Sequence, residues 1–154
     1  MVVANALFDI SNKDGGRMNQ RIMAIDPGEK RLGIAISDES GTIANPLTVI
    51  KHVARLIDAA AIAQLAKEYG AGLIVVGQAL DSEGYLGPAA RRSARLAEAL
   101  RTQTDLPIKF WDESGSTRSA QAAQVAMGVS RSKRKGHLDD LAATIILQSY
   151  LDEN

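Results

Sequence analysis

Five carboxylates stand at places where an α/β sheet would gather them. Asp26 closes the apolar run RIMAID, Asp112 and Glu113 close LPIKFWDE, and Asp139 and Asp140 open the last apolar segment. Carboxylates brought together repel one another and raise each other's pKa. A hard divalent cation relieves that repulsion, and Mg²⁺ takes oxygen ligands in an octahedral shell. With two such ions, one activates a water and the other stabilises the leaving oxygen of a phosphodiester. That chemistry needs neither cysteine nor histidine, and the chain has no cysteine and two histidines.

Each acid also has an ordinary reading when taken alone. Asp26-Pro27-Gly28 is a turn sequence. Acids in the first turn of a helix, as expected for Asp139 and Asp140, complement the helix dipole. Convergence of the five carries the argument, and convergence depends on topology. Ala142 and Ala143 follow Asp139 at +3 and +4, so a helix there could lie close to a sheet.

Basic residues accompany the acids. VSRSKRKG reads as a loop, and Arg131, Lys133, Arg134 and Lys135 fall in it with no acid among them. Arg91, Arg92 and Arg95 share one stretch of an earlier helix. Beside an acidic metal cluster, such charges suit a polyanionic backbone. Trp111, Tyr69, Tyr85 and Tyr150 are scattered, so base stacking is not indicated. No Walker A sequence and no GxGxxG after a strand occurs. His52 and His137 read as isolated, and Ser114, Ser116 and Thr117 as caps of a short helix.

The elements that must position these groups follow from hydrophobic pattern. Ile22 to Ile25 run without alternation, as in a strand buried on both faces. Pro27 and Gly28 make a turn, with Gly28 as the conformationally permissive position. In RLGIAISD, Leu32, Ile34 and Ile36 alternate with smaller residues, and TIANPLTVI gives a third strand. Short turns make these three antiparallel neighbours. A helix over 54–69 buries Ile57, Ala60, Ala61, Leu65 and Ala66, with Leu56 and Ile62 widening that face, and ends at Gly70. LIVVG is a strand and QALDSEGYLG a loop. Pro88 opens a helix over 88–102. LPIKFWDE is the last strand, followed by helices over 116–127 and 137–151. Strands alternating with helices lie parallel to the first. The expectation is an α/β fold with a mixed five-stranded sheet, a three-strand antiparallel meander plus two parallel strands, flanked by helices. Ligands of such sheets gather beyond the carboxyl ends of the parallel strands.

The chain has 154 residues, 45% apolar and 23% charged, with 18 basic and 18 acidic side chains. This composition suits one globular domain. Without cysteine, disulfides and thiolate zinc sites are excluded. No apolar run approaches the ~18 residues of a membrane span, and Asp9 breaks the short apolar stretch MVVANALFDI, so no secretory signal is expected. The expected location is cytoplasmic, with no membrane partner. SNKDGGRMNQ is polar and glycine-containing, so residues 1–20 read as a flexible extension before a domain over 21–154, and Met18 is an alternative start.

The segments IDPGEKRLGIAISD, ANPL, IVVGQAL, DESGST, SKRK and LDDLAATIILQSYL occur in the order and spacing of the YqgF family. The resemblance spans about residues 20–151. It implies an RNase H-like fold, a likeness to Holliday-junction resolvases, and a nuclease that matures precursor 16S rRNA, with Mg²⁺ or Mn²⁺ as one or two ions. It assigns the catalytic acids to Asp26, Glu113 and Asp139, with Asp140 as an auxiliary ligand. It places Lys30 and Arg31 in the family's basic turn, joining Arg131, Lys133, Arg134 and Lys135 as the groups that grip nucleic acid. Structured RNA (pre-rRNA) or branched DNA is the implied partner, and a homodimer is implied if two strands are cut.

The chain departs from the family pattern in two places. Gln78-Ala79 replaces Leu-Pro after the strand, and Ser114-Gly115 replaces Arg-Leu after the glutamate. These changes bear on substrate positioning, not on the acids. Two other readings stay beside the nuclease: a non-catalytic nucleic-acid-binding domain, and a nucleotide hydrolase or sugar kinase suggested by DPGEKRLG. The kinase reading asks for two domains closing on ATP, more than 154 residues usually supply.

Overall fold

A computed structural model describes residues 20–78, 87–112 and 131–154, with residues 131–140 described as helix backbone. Outside these lie all of the expected extension over 1–20 except Gln20, the loop over 79–86, and the helix expected over 116–127.

Five strands form one sheet in the order β3-β2-β1-β4-β5. They are β1 (Arg21–Pro27), β2 (Arg31–Ser37), β3 (Ala44–Lys51), β4 (Ala71–Gln78) and β5 (Ile108–Asp112). The meander is antiparallel: Ile25 faces Ile34, and Leu32 faces Ile50. β4 runs parallel to β1, with Ile25 beside Val76, and β5 runs parallel to β4. The expected mixed sheet is thus the observed one.

Edge strand β3 carries Pro46 beside an irregularity in the register, where Ile34 faces Thr48 and Ala35 faces Pro46. Leu47 is the extra residue. Proline lacks an N–H and is tolerated on an edge or at a bulge.

Helices α1 (Arg55–Glu68) and α2 (Pro88–Gln103) pack on one face of the sheet. There Met23, Ile25, Leu32, Ile34, Ile74 and Val76 meet Ala59, Ile62, Ala66, Leu96 and Leu100. Helix α3 (Arg131–Glu153) covers the other face, where Ala24, Ala35 and Val75 meet Ala143, Ile146, Leu147 and Tyr150. The spacing 143, 146, 147, 150 is the stripe of a helix lying along a sheet. Small residues on both sides (Ala143 against Ala24 and Ala35) permit the close approach expected of the terminal helix. Trp111 Nε1 donates to Ser149 Oγ (3.1 Å), and its ring meets Tyr150 edge-on at 5.4 Å between centroids.

Three expectations are corrected. The basic stretch is not a loop: α3 begins at Arg131, six residues before the expected start, and runs through Gly136. Lys and Arg favour helix, and one interior glycine costs only about 1 kcal/mol. Helix α1 turns a different face inward: Leu56 and Ile57 are 58% and 56% exposed, while Asp58 is 1% exposed beside buried Ala59. Asp58 can be buried because local donors satisfy it, as described below. Finally, Gly28 has no positive φ, so it is required by space: a Cβ there would collide with the Arg31 carbonyl oxygen. Gly70, which ends α1, does adopt a left-handed φ of 68°.

Candidate nucleic-acid-processing site

Period-two alternation decides which face each site residue occupies. Asp26 shares the face of Ala24, which packs against α3, and it stands directly opposite Gly33 of β2. Arg31 is two residues beyond Gly33 on that strand and takes the same face. Lys51 is the cross-strand partner of Arg31 and so takes that face as well. Both basic side chains are exposed. Lys30 lies in the turn just before β2, also exposed.

At the end of β5, Trp111 belongs to the α3 face. Asp112, the next residue and the neighbour of Gln78, therefore falls on the face of α1 and α2. Of the two acids that close β5, Asp112 is thus not on the face of Asp26. Glu113 lies outside the described residues, as do Ala79, Ser114, Gly115, Ser116 and Thr117.

Helix α3 brings positions 139 and 140 to the level of Asp26 along the sheet. Gln148 accepts from the Ala44 N–H (2.9 Å) and donates to the Thr42 carbonyl (3.1 Å). Ala44 faces Ser37, whose hydroxyl accepts the Ile22 N–H (2.8 Å), so Gln148 is level with the start of β1. From Ile22 to Asp26 the strand advances about 13 Å. From Gln148 back to Asp139 the helix backbone covers about 13 Å. Positions 139 and 140, in the third turn of α3, therefore come level with Asp26 along the strand. At about 100° per residue, position 139 falls about 30° from the middle of the buried stripe and position 140 about 70°. Arg131, Lys133, Arg134 and Lys135 occupy the turns before them.

Among the described residues no three His, Asp or Glu side chains form a cation site. Of the expected ligands, only the side chain of Asp26 is described. It is a hard oxygen donor on the face that α3 crosses, and the family's remaining acids are all hard oxygen donors. This chemistry suits Mg²⁺ or Mn²⁺ rather than a thiophilic metal. Arg91, Arg92 and Arg95 lie on α2, across the sheet from Asp26, so they are not part of this group.

Sequence reasoning missed one pair at the same end of the sheet. His52 is not isolated: its Nδ1 lies 2.5 Å from Asp58 Oδ2. A carboxylate accepts only, so the proton sits on Nδ1. Asp58 Oδ1 accepts the Val53 N–H (3.0 Å), and the His52 N–H donates to the Lys30 carbonyl (2.9 Å). The pair locks the corner between β3 and α1 and holds the basic turn in place. A histidine six residues before an aspartate, across a predicted strand-to-helix junction, was the available signal.

Helix α3, although 23 residues long, is not apolar enough to cross a membrane, nor is any other helix among the described residues. Comparison with known proteins agrees with the fold. Thermus thermophilus RuvC, solved with a Holliday junction substrate, superposes with a TM-score of 0.55 at 16% identity, over 87% of this chain and 95% of that one. The fowlpox virus Holliday junction resolvase gives 0.51 at 17% identity, over 88% and 100%. These likenesses make the fold RNase H-like. Among curated proteins, one of Thermoanaerobacter pseudethanolicus named "Putative pre-16S rRNA nuclease" is 44% identical over 133 residues, 86% of this chain and 96% of that protein. A Geobacillus kaustophilus protein of the same name is 42% identical over 143 residues, 86% and 97%. Residues 20–153 match the RuvX family, described as Holliday junction resolvase. The motifs that resemble YqgF, the sheet order and these matches converge on one conclusion: the chain belongs to the RuvX family.

Proposed function

We propose that the protein is a metal-dependent nuclease that hydrolyses phosphodiester bonds in structured RNA, at the 5′ end of precursor 16S rRNA in the cytoplasm. The observation that carries this reading is the shared face and level of Asp26 and the 139–140 turn of α3, with Arg31 beside them. The name shared by the curated relatives supports the substrate.

In this reading Asp26, Glu113 and Asp139 hold Mg²⁺ or Mn²⁺, with Asp140 as an auxiliary ligand. The nearness of position 139 to the middle of the buried stripe favours it over position 140. The bound metal would supply an activated water and a stabilised leaving oxygen. The chain's own residues do the rest. Asp26 sits on a central strand with partners on both sides, so its backbone is fixed before substrate arrives. Gly33, opposite it, adds no side chain on that face. Lys30, Arg31, Arg131, Lys133, Arg134 and Lys135 bind the phosphate backbone electrostatically, which orients the strand without reading its bases.

The test is cleavage of an end-labelled RNA carrying the precursor 16S 5′ end in Mg²⁺ or Mn²⁺, with Asp26→Asn beside it. Cleavage by wild type that is absent from the variant supports the nuclease. Folded, RNA-binding protein that cleaves nothing favours the non-catalytic domain. A second reading, resolution of a four-way DNA junction, is favoured by the family description and uses the same acids. Symmetric cutting of two strands would ask for a homodimer. A junction cut faster than the RNA would select it.

A further inference from the structure

Arg31 and Lys51 are directly opposite each other in the antiparallel pairing of β2 and β3. Like charges in that position destabilise a sheet. Among the described residues neither joins an ion pair: the ion pairs there are Arg21–Glu39 and His52–Asp58. Both are exposed and both lie on the face of Asp26. Strand spacing and rise put the Lys51 Cα about 12 Å from that of Asp26, with Arg31 between them. The backbone beneath the pair is tied, because the His52 N–H at the end of β3 donates to the Lys30 carbonyl of the basic turn.

We infer that Lys51, which lies outside the segments that carry the resemblance, is a phosphate-binding residue, and that the RNA strand leaves the site across edge strand β3 with one phosphate between Lys51 and Arg31. This rests on the RNA reading above and adds a direction to it. An anion seated between two like charges removes their repulsion, so the arrangement is costly empty and favourable filled. A point charge on a flexible stem suits a phosphate whose base is not read. The path therefore runs from Asp26 over β2 to the β3 edge, a few nucleotides from the scissile bond.

The test is the salt dependence of binding of a fluorescein-labelled single-stranded RNA to the full chain, by anisotropy in EDTA so that cleavage is silent. Lys51→Ala is expected to weaken binding about three- to tenfold and to lower the slope of log Kd against log salt by about 0.7 to 1. Lys51→Arg keeps the wild-type slope. Lys67→Ala, an exposed lysine near the end of α1 on the other side of the sheet, changes neither quantity. The melting temperature of Lys51→Ala stays at or above wild type, since a repulsion is removed. Wild-type affinity and slope in Lys51→Ala overturn the inference, and new self-association by that variant would then mark Lys51 as an edge-protecting charge. Wild type that binds no RNA sinks the RNA reading itself, and this inference with it.

Discussion

Asp26 stands directly opposite Gly33, the residue of β2 that offers no side chain on the α3 face. Cβ atoms at such positions lie about 5 Å apart. Asp26→Asn removes the negative charge and keeps the shape. We expect cleavage to fall by about a thousandfold or more, with an unchanged circular dichroism spectrum. A folded variant with wild-type turnover would remove Asp26 from the site.

Position on the helix separates the two adjacent aspartates of α3. Asp139→Asn should reduce cleavage more than Asp140→Asn, by about tenfold or more, in parallel single-turnover assays. Equal activity of Asp139→Asn and wild type would contradict the assignment.

Asp58 is buried and serves both His52 and the Val53 N–H. Asp58→Ala leaves two polar groups without their acceptor and should cost about 2 kcal/mol in urea unfolding. Because the same corner is tied to Lys30, RNA affinity should weaken as well. An Asp58→Ala protein as stable as wild type would show that the corner is not held this way.

The tight turn after β1 depends on Gly28. Gly28→Ala drives a methyl group into the Arg31 carbonyl and should destabilise by about 2 kcal/mol. Calorimetry of the variant, with Gly41→Ala as a comparison at a glycine with open space and φ of 72°, separates collision from backbone strain. The larger loss belongs to Gly28.

Asp38 gives a pH-dependent signature far from the site. Hydrogen bonds from the Ile43 N–H, the Ser40 hydroxyl and the Thr42 N–H hold its pKa at about 2, below the ordinary 3.8. A folded value below the unfolded one means stability that is present above about pH 4 and lost as pH falls toward 2. Asp38→Asn should therefore flatten the fall of melting temperature across that window. An unaltered fall in the variant would assign the acid sensitivity to other carboxylates.

The sheet was legible because its signals are local. Alternation at Leu32, Ile34 and Ile36, the unbroken run at Ile22–Ile25 and the glycine after α1 each point one way. Errors arose where a local rule met a tertiary override. Asp58 looks like a surface residue and Leu56 and Ile57 like core, but a histidine and a backbone amide made the acid buriable, and α1 turned accordingly. Gly136 and the basic run look like a loop, yet a helix anchored by Ala143, Ile146 and Leu147 propagates through them. Within the proposed site, the position of Asp26 at the end of β1 was legible from the strand pattern alone. The face of Asp112 needed the face of Trp111, and the placement of Lys51 opposite Arg31 needed the register of β2 and β3, which no sequence pattern states.

Among the described residues helix α3 alone covers one face of the sheet, and it follows in the chain the strands it mainly covers, β1, β2 and β3. During synthesis the meander and β4 emerge before α3, with Ala24, Ala35 and Val75 bare to solvent until Ile146 and Leu147 arrive. The acids of the site are likewise separated in time, Asp26 early and Asp139 late. In the proposed nuclease the face that carries Asp26 is therefore completed only when α3 docks, and a nascent chain that exposes the basic turn does not yet cut RNA.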